Sequence, residues 1–60
     1  AVTLRVERVI NPLRAYGYVD EIGQEIPVKP RQFPSNPGRG DVVKANVRFG
    51  MYGPYAVPPR

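Results

Sequence analysis

The stretch Arg14-Ala15-Tyr16-Gly17-Tyr18 is where residue types and spacing could do chemistry. In an extended strand, side chains alternate between faces, so Arg14, Tyr16, Tyr18 and Asp20 point one way. Leu13, Ala15, Gly17 and Val19, small or apolar, point the other way and can pack on a core. Two aromatic rings spaced i, i+2 lie roughly 7 Å apart on one face, which suits consecutive unpaired bases. Each stacked base contributes about 1–3 kcal/mol whatever its identity. Gly17 leaves the ring faces uncovered, and Arg14 can meet a phosphate or stack on a base. Two other roles fit the same residues: a ladder that only braces the sheet, or a tyrosine row turned into the core. The second requires Gly and Ala to share the opposite row with solvent-facing Leu13 and Val19.

The charge distribution agrees with a polyanionic partner. The formal net charge is +4, from 9 Lys+Arg against 5 Asp+Glu. In residues 1–30, Arg5, Arg8, Arg14 and Lys29 are balanced by Glu7, Asp20, Glu21 and Glu25. In residues 31–60, Arg31, Arg39, Lys44, Arg48 and Arg60 face Asp41 alone, so the whole excess lies there. Such an excess attracts nucleic acid, although solubilising charge has the same composition.

Catalysis has little to work with. The chain has neither Cys nor His, which removes disulfides, thiolate metal sites and the commonest general base. Ser35 and Thr3 have no histidine to activate them. Asp20, Glu21 and Glu25 read as a solvated hairpin tip, and Pro37-Gly38-Arg39-Gly40 lacks the Lys-Ser/Thr pair of a phosphate-binding loop. Neither an enzyme nor a metal or other cofactor is expected.

The positioning elements are strands. Eight prolines and six glycines leave no window with a 3.6-residue apolar period. Val2, Leu4 and Val6 alternate with polar residues, giving a first strand over about residues 2–10 that Asn11-Pro12 ends. A second strand covers about 14–20, and residues 20–24 turn the chain with Gly23 free to take positive φ. A third follows at 25–29, where Pro27 and Pro30 predict an edge or a bulge. The longest loop is 30–40. The fourth strand spans 41–49, with Val43, Ala45, Val47 and Phe49 on one face and Val42, Lys44, Asn46 and Arg48 on the other. Residues 50–53 form a hairpin turn before a short fifth strand at 54–57. Five short strands in 60 residues predict one domain, residues 1–60, folded as an all-β, five-stranded antiparallel barrel of the oligonucleotide-binding type.

Arg14-Ala15-Tyr16-Gly17-Tyr18-Val19 resembles the first ribonucleoprotein motif of the cold-shock domain family, K-G-F-G-F-I, position for position. Asn11 falls at the asparagine of that family's N-x-x-K-G, and Ile26-Pro27-Val28-Lys29-Pro30 at its second motif, V-F-V-H-F. The family pattern G-x-x-V-x-F-x-V-x-x-G-x-x-G-P-x-A is matched by Gly40, Val43, Ala45 (for Phe), Val47, Gly50, Gly53, Pro54 and Ala56. The resemblance covers nearly the whole chain, with a shorter loop at 30–40. It implies a cold-shock-type barrel that binds single-stranded RNA or DNA with low specificity, as an RNA chaperone or expression regulator. The departures fall on the aromatic platform. Val9 or Arg8 stands at the exposed Trp of the family, and Pro27, Lys29 and Pro30 at its Phe, His and Phe. Weaker binding or a shifted surface follows.

The expected binding residues are Arg14, Tyr16, Tyr18, Lys29, Arg8, Lys44 and Arg48, extended by Tyr52 and Tyr55 near the last strand. Phe33 either caps the barrel or contacts a base. A small protein-interaction barrel, or a cold-shock-like module of a larger RNA-processing protein, is the alternative. No apolar run is long enough to span a bilayer and no signal-peptide pattern is present, so no membrane partner and a cytoplasmic location are expected. Prolines on edge strands favour a monomer. The chain begins at Ala1 without Met, as a processed protein or a piece of a longer one would.

Overall fold

The structure is a computed structural model, and it describes residues 1–59. Arg60, counted above in the domain and in the basic half, lies outside the described residues. The strands are β1 (Val2–Asn11), β2 (Arg14–Val19), β3 (Gln24–Val28), β4 (Val42–Gly50) and β5 (Gly53–Val57). They close into a barrel in the order β1-β2-β3-β5-β4. The protein is therefore an all-β, five-stranded barrel of the oligonucleotide-binding type. The long loop contains one 3₁₀ turn, Pro30–Gln32, with Pro30 in the first turn where its missing N–H costs nothing.

Alternation fills the interior as the sequence dictates. Leu4, Val6, Ala15, Val19, Ile26, Val28, Ala45 and Ala56 are buried, and the partly buried Val2, Val43 and Val47 pack against the core cluster. Among the described residues no polar or charged side chain is buried. Gly17 faces this core, and its reason lies inside the barrel. A Cβ there would stand 2.6 Å from Leu4 Cδ1 and 2.9 Å from Leu4 Cγ. Leu4, one of the largest fully buried side chains, occupies the space that Gly17 vacates.

Several boundaries differ from the periodic reading. Leu13 and Phe49 lie in rows that alternate toward the core, yet they are 56% and 79% exposed. Leu13 precedes β2 in the turn, and Phe49 lies where the β4–β5 hairpin has outrun the barrel. Strand β1 carries two irregularities, between Val6 and Arg8 and between Val9 and Asn11. Glu7 is thereby left out of the pairing, and Arg8 is set opposite Tyr16 on the outer face. Phe33 is 4% exposed and belongs to the core cluster, so it caps the barrel and is not a surface for a base.

The barrel closes unevenly. β1–β2, β2–β3, β1–β4 and β4–β5 pair antiparallel over four to six residue pairs each. The β3–β5 closure is parallel, not antiparallel as expected, and rests on one pair, Val28↔Ala56. Pro27 explains the thinness of this seam: proline has no N–H to donate, and it sits just before that single pair. The expectation that β3 would be an edge strand thus becomes a strand inside a closed sheet whose ladder on one side is almost absent.

Candidate nucleic-acid interface

The thin seam opens two adjoining clefts on the outer surface. The larger, about 480 Å³, is lined among others by Arg14, Tyr16, Pro27, Lys29 and Tyr55. The smaller, about 300 Å³, is lined by Pro27, Gly50, Met51, Tyr52, Gly53, Pro54 and Tyr55. Pro27 and Tyr55 line both, and so form the ridge between them. Pairing fixes the neighbours: Arg8 lies opposite Tyr16, Tyr16 opposite Pro27, and Tyr55 opposite Arg48. Directly opposed residues share a face. The outer face therefore carries a belt around the barrel, Arg8–Tyr16–Pro27–Tyr55–Arg48, with a cation at each end and rings between.

Tyr16 and Tyr18 are both half-buried on the outer face of β2. Neither ring is bare. The Arg8 guanidinium lies over the Tyr16 ring, 4.5 Å from its centroid, and Arg5 lies over Tyr18 at 5.7 Å. Each arginine is held by a glutamate: Arg8 Nη2 donates to Glu25 Oε1 at 3.0 Å and Arg5 Nε to Glu7 Oε2 at 2.7 Å. That hydrogen bond and the charge of Glu7 raise the Arg5 pKa further above its ordinary value. Two of the four cations in the N-terminal half are thus neutralised locally, and the tyrosines already hold a cation against one face.

The remaining cations divide by position. Arg14 and Lys29 are exposed, line the larger cleft and make no ion pair among the described residues. Arg48 is likewise exposed and unpaired beside Tyr55. Lys44 is directed elsewhere: its Nζ donates to Thr3 Oγ1 at 3.2 Å, on the β1–β4 side. There the backbone N–H of Thr3 donates to both carboxylate oxygens of Glu21 at 3.1 Å. Hydrogen bonds from the backbone N–H groups of Glu21 itself and of Thr3, with Lys44 nearby, hold the Glu21 pKa below its ordinary value. Lys44 therefore serves a polar corner away from the clefts.

Tyr55 is 40% exposed and has a defined seat. A Cβ on Gly50 would lie 3.1 Å from its Cε1 atom, so the ring rests directly on the glycine backbone. Tyr52, at the hairpin tip, is 99% exposed.

The structure thus brings Arg8, Arg14, Tyr16, Lys29, Arg48, Tyr55 and Tyr52 to one connected surface. It sets Tyr18 at that surface's acidic margin, opposite Glu25, and removes Phe33 and Lys44 from it. Arg5, Pro27, Gly50 and Met51 belong to the site but were not among the residues selected by sequence. Arg5 lies an odd number of positions from Arg8, and only the Glu7 bulge puts both on the outer face. The role of Gly50 depends on where Tyr55 folds back, which spacing does not reveal. Among the described residues no group of acidic side chains could hold a metal ion, and no helix is long and apolar enough to cross a membrane. Comparisons with protein-family models, with curated proteins and with solved structures find no match.

Proposed function

We propose that this barrel is a low-specificity binder of single-stranded RNA or DNA, acting by stacking and phosphate contacts and not as an enzyme. The observation that carries this reading is the outer belt in which Tyr16, Pro27 and Tyr55 alternate across the sheet between Arg8 and Arg48. A nucleic-acid strand needs apolar faces for its bases and cations for its phosphates; the belt supplies the faces, and Arg48 at its end supplies a cation that no carboxylate holds among the described residues. The unpaired Arg14 and Lys29 beside the larger cleft add charge where a backbone would enter. A groove that presents rings and cations but no converging set of buried donors and acceptors reads stacking more than base identity.

In this reading the chain is a divergent relative of the cold-shock domains, and it works in the cytoplasm as an RNA chaperone or expression regulator. Of the two residues at that family's exposed tryptophan, Val9 and Arg8, it is Arg8 that lies opposite Tyr16 on the outer face, which supports reading a cation there in place of a ring. The Arg8 and Arg5 guanidiniums already occupy part of the tyrosine rings, so binding is weaker than on an open aromatic platform. A protein-interaction role draws its support from the exposed Phe49 and Met51 on the β4–β5 hairpin.

Fluorescence anisotropy with labelled oligo-dT and oligo-U of about eight nucleotides tests the proposal. Binding at low salt should weaken steeply as salt rises, with a log–log slope of about −0.7 for each phosphate contacted. Absence of binding to both oligonucleotides at low salt contradicts it.

A further inference from the structure

We infer that a bound strand leaves the face of β2, crosses the β3–β5 seam over Pro27 and Tyr55, and places an unpaired base in the smaller cleft against Tyr52. This inference rests on the binding function proposed above and adds its path. Three observations support it.

The two clefts adjoin. Pro27 and Tyr55 line both, so a strand held at Tyr16 meets Tyr55 next and then the hairpin. The seam is thin because Pro27 leaves β3 and β5 joined by a single pair.

Charge directs the strand the same way. On the far side of Tyr16 stands Tyr18, opposite Glu25 and two residues before the turn that begins at Asp20. Its arginine, Arg5, is bound to Glu7 and feels Asp20 as well. A phosphate there would stand near Glu25, Glu7 and Asp20, and the two arginines at hand, Arg5 and Arg8, are each already paired with a glutamate. On the near side, Arg14 and Lys29 flank the larger cleft, and Arg48 stands beside Tyr55 with no carboxylate paired to it among the described residues. The unpaired positive charge along the belt therefore favours β5 and β4 over the Tyr18 margin.

The smaller cleft is built for a ring. Its walls are Pro27, Pro54, Met51, Tyr52, Tyr55 and two glycines, without a charged residue. Gly50 leaves room for the Tyr55 ring against the hairpin, and the Tyr52 ring at its tip is 99% exposed, with its faces uncovered. An apolar cavity walled by rings accepts the face of any base and specifies none. The second base is thus held by stacking alone, with its phosphate toward Arg48.

The test is oligonucleotide anisotropy on the intact chain with fluorescein-labelled dT3 and dT8, for the wild type and for Tyr16→Ala, Tyr18→Ala and Tyr52→Ala. Tyr52 packs on little, so its removal leaves the barrel folded, as a thermal melt will record. The expected result is that Tyr52→Ala weakens dT8 by at least about fivefold, the lower end of one lost stacking contact, and leaves dT3 within about twofold. Tyr18→Ala should change both less than Tyr52→Ala changes dT8. If Tyr16→Ala weakens dT8 while Tyr52→Ala does not, the path is wrong and the binding function stands. If the wild type binds neither probe, the path falls together with the function. A Tyr52→Ala chain that binds dT8 normally but loses a self-association seen in the wild type by sedimentation would overturn the path in favour of a contact between copies.

Discussion

The β2 face and the β4–β5 hairpin each set two tyrosines beside glycine, yet Gly17 and Gly50 do opposite things. Gly17 admits Leu4 to the core, and the tyrosines beside it are latched by arginine–glutamate pairs. Gly50 admits Tyr55 to the surface, and the hairpin around it has outrun the barrel, with Phe49, Met51 and Tyr52 exposed. The first region is part of the fold and carries the proposed binding face on its back. The second contributes little to the core and is free to be mostly a contact. The same sequence motif, an aromatic near a glycine, thus stabilises in one place and presents in the other, and the difference lies in which atom the missing Cβ would strike.

Substitutions sharpen that contrast. The largest effect on stability should come from Gly17→Ala, which drives a methyl into Leu4 and the backbone oxygen of Arg5. Overpacking of this kind costs about 1–3 kcal/mol, and for so small a domain each kcal/mol lowers Tm by roughly 4–8 °C. A thermal melt that moves by less than a degree would mean the core is looser than described.

Next comes the double substitution Tyr16→Ala with Tyr18→Ala. Loss of even one stacked base at about 1–3 kcal/mol should cut oligonucleotide affinity about fivefold to over a hundredfold, with the far-ultraviolet spectrum of the barrel retained. Unchanged anisotropy titrations would place the binding surface elsewhere.

Gly50→Ala should reverse the Gly17 pattern. Tyr55 is a surface ring and can tilt away, so stability should shift by no more than about 0.5 kcal/mol. Affinity for an eight-nucleotide probe should fall a few-fold because the ridge between the clefts has moved. A variant that loses stability and keeps affinity would erase the distinction between the two glycines.

Glu21→Gln gives the smallest effect and serves as a control outside both regions. The folded-state pKa of Glu21 is lowered by the backbone N–H groups of Glu21 and Thr3. Its contribution is therefore present above the ordinary carboxylate value, about 4.3, and is lost as pH falls through the lower folded value. The difference between variant and wild type in urea melts should be full at pH 7 and shrink as pH falls below the ordinary carboxylate value.

The sequence made the strands legible because period-2 alternation is local: each of the five appears within a residue or two of its predicted place. The barrel followed from strand number and the absence of helix. What stayed hidden depends on relations between strands. The parallel β3–β5 closure requires knowing which strands meet at the end of the wrapping, and Pro27 alone suggested an edge. The Glu7 bulge moves Arg8 onto the outer face, where simple alternation from Leu4 and Val6 would point it inward. Phe33 read equally as cap or contact, because a loop aromatic has no periodicity to orient it. Tyr16 and Tyr18 were legible as outward rings, whereas their arginine covers and glutamate latches were not, since cross-strand partners are set by register. Tyr55 was placed near the site by its position in β5, but its role as the ridge between two clefts comes from the thin seam.

The central claim is that unpaired nucleic acid is held on the belt from Arg8 to Arg48. It is tested most directly by an NMR chemical-shift titration of the isotope-labelled chain with oligo-dT of eight nucleotides. The account predicts salt-sensitive shifts that cluster on Arg14, Tyr16, Val28, Lys29, Arg48 and Tyr55, with Thr3, Glu21 and Lys44 unmoved. Absence of shifts at low salt, or shifts confined to the Thr3–Glu21–Lys44 corner, would contradict it.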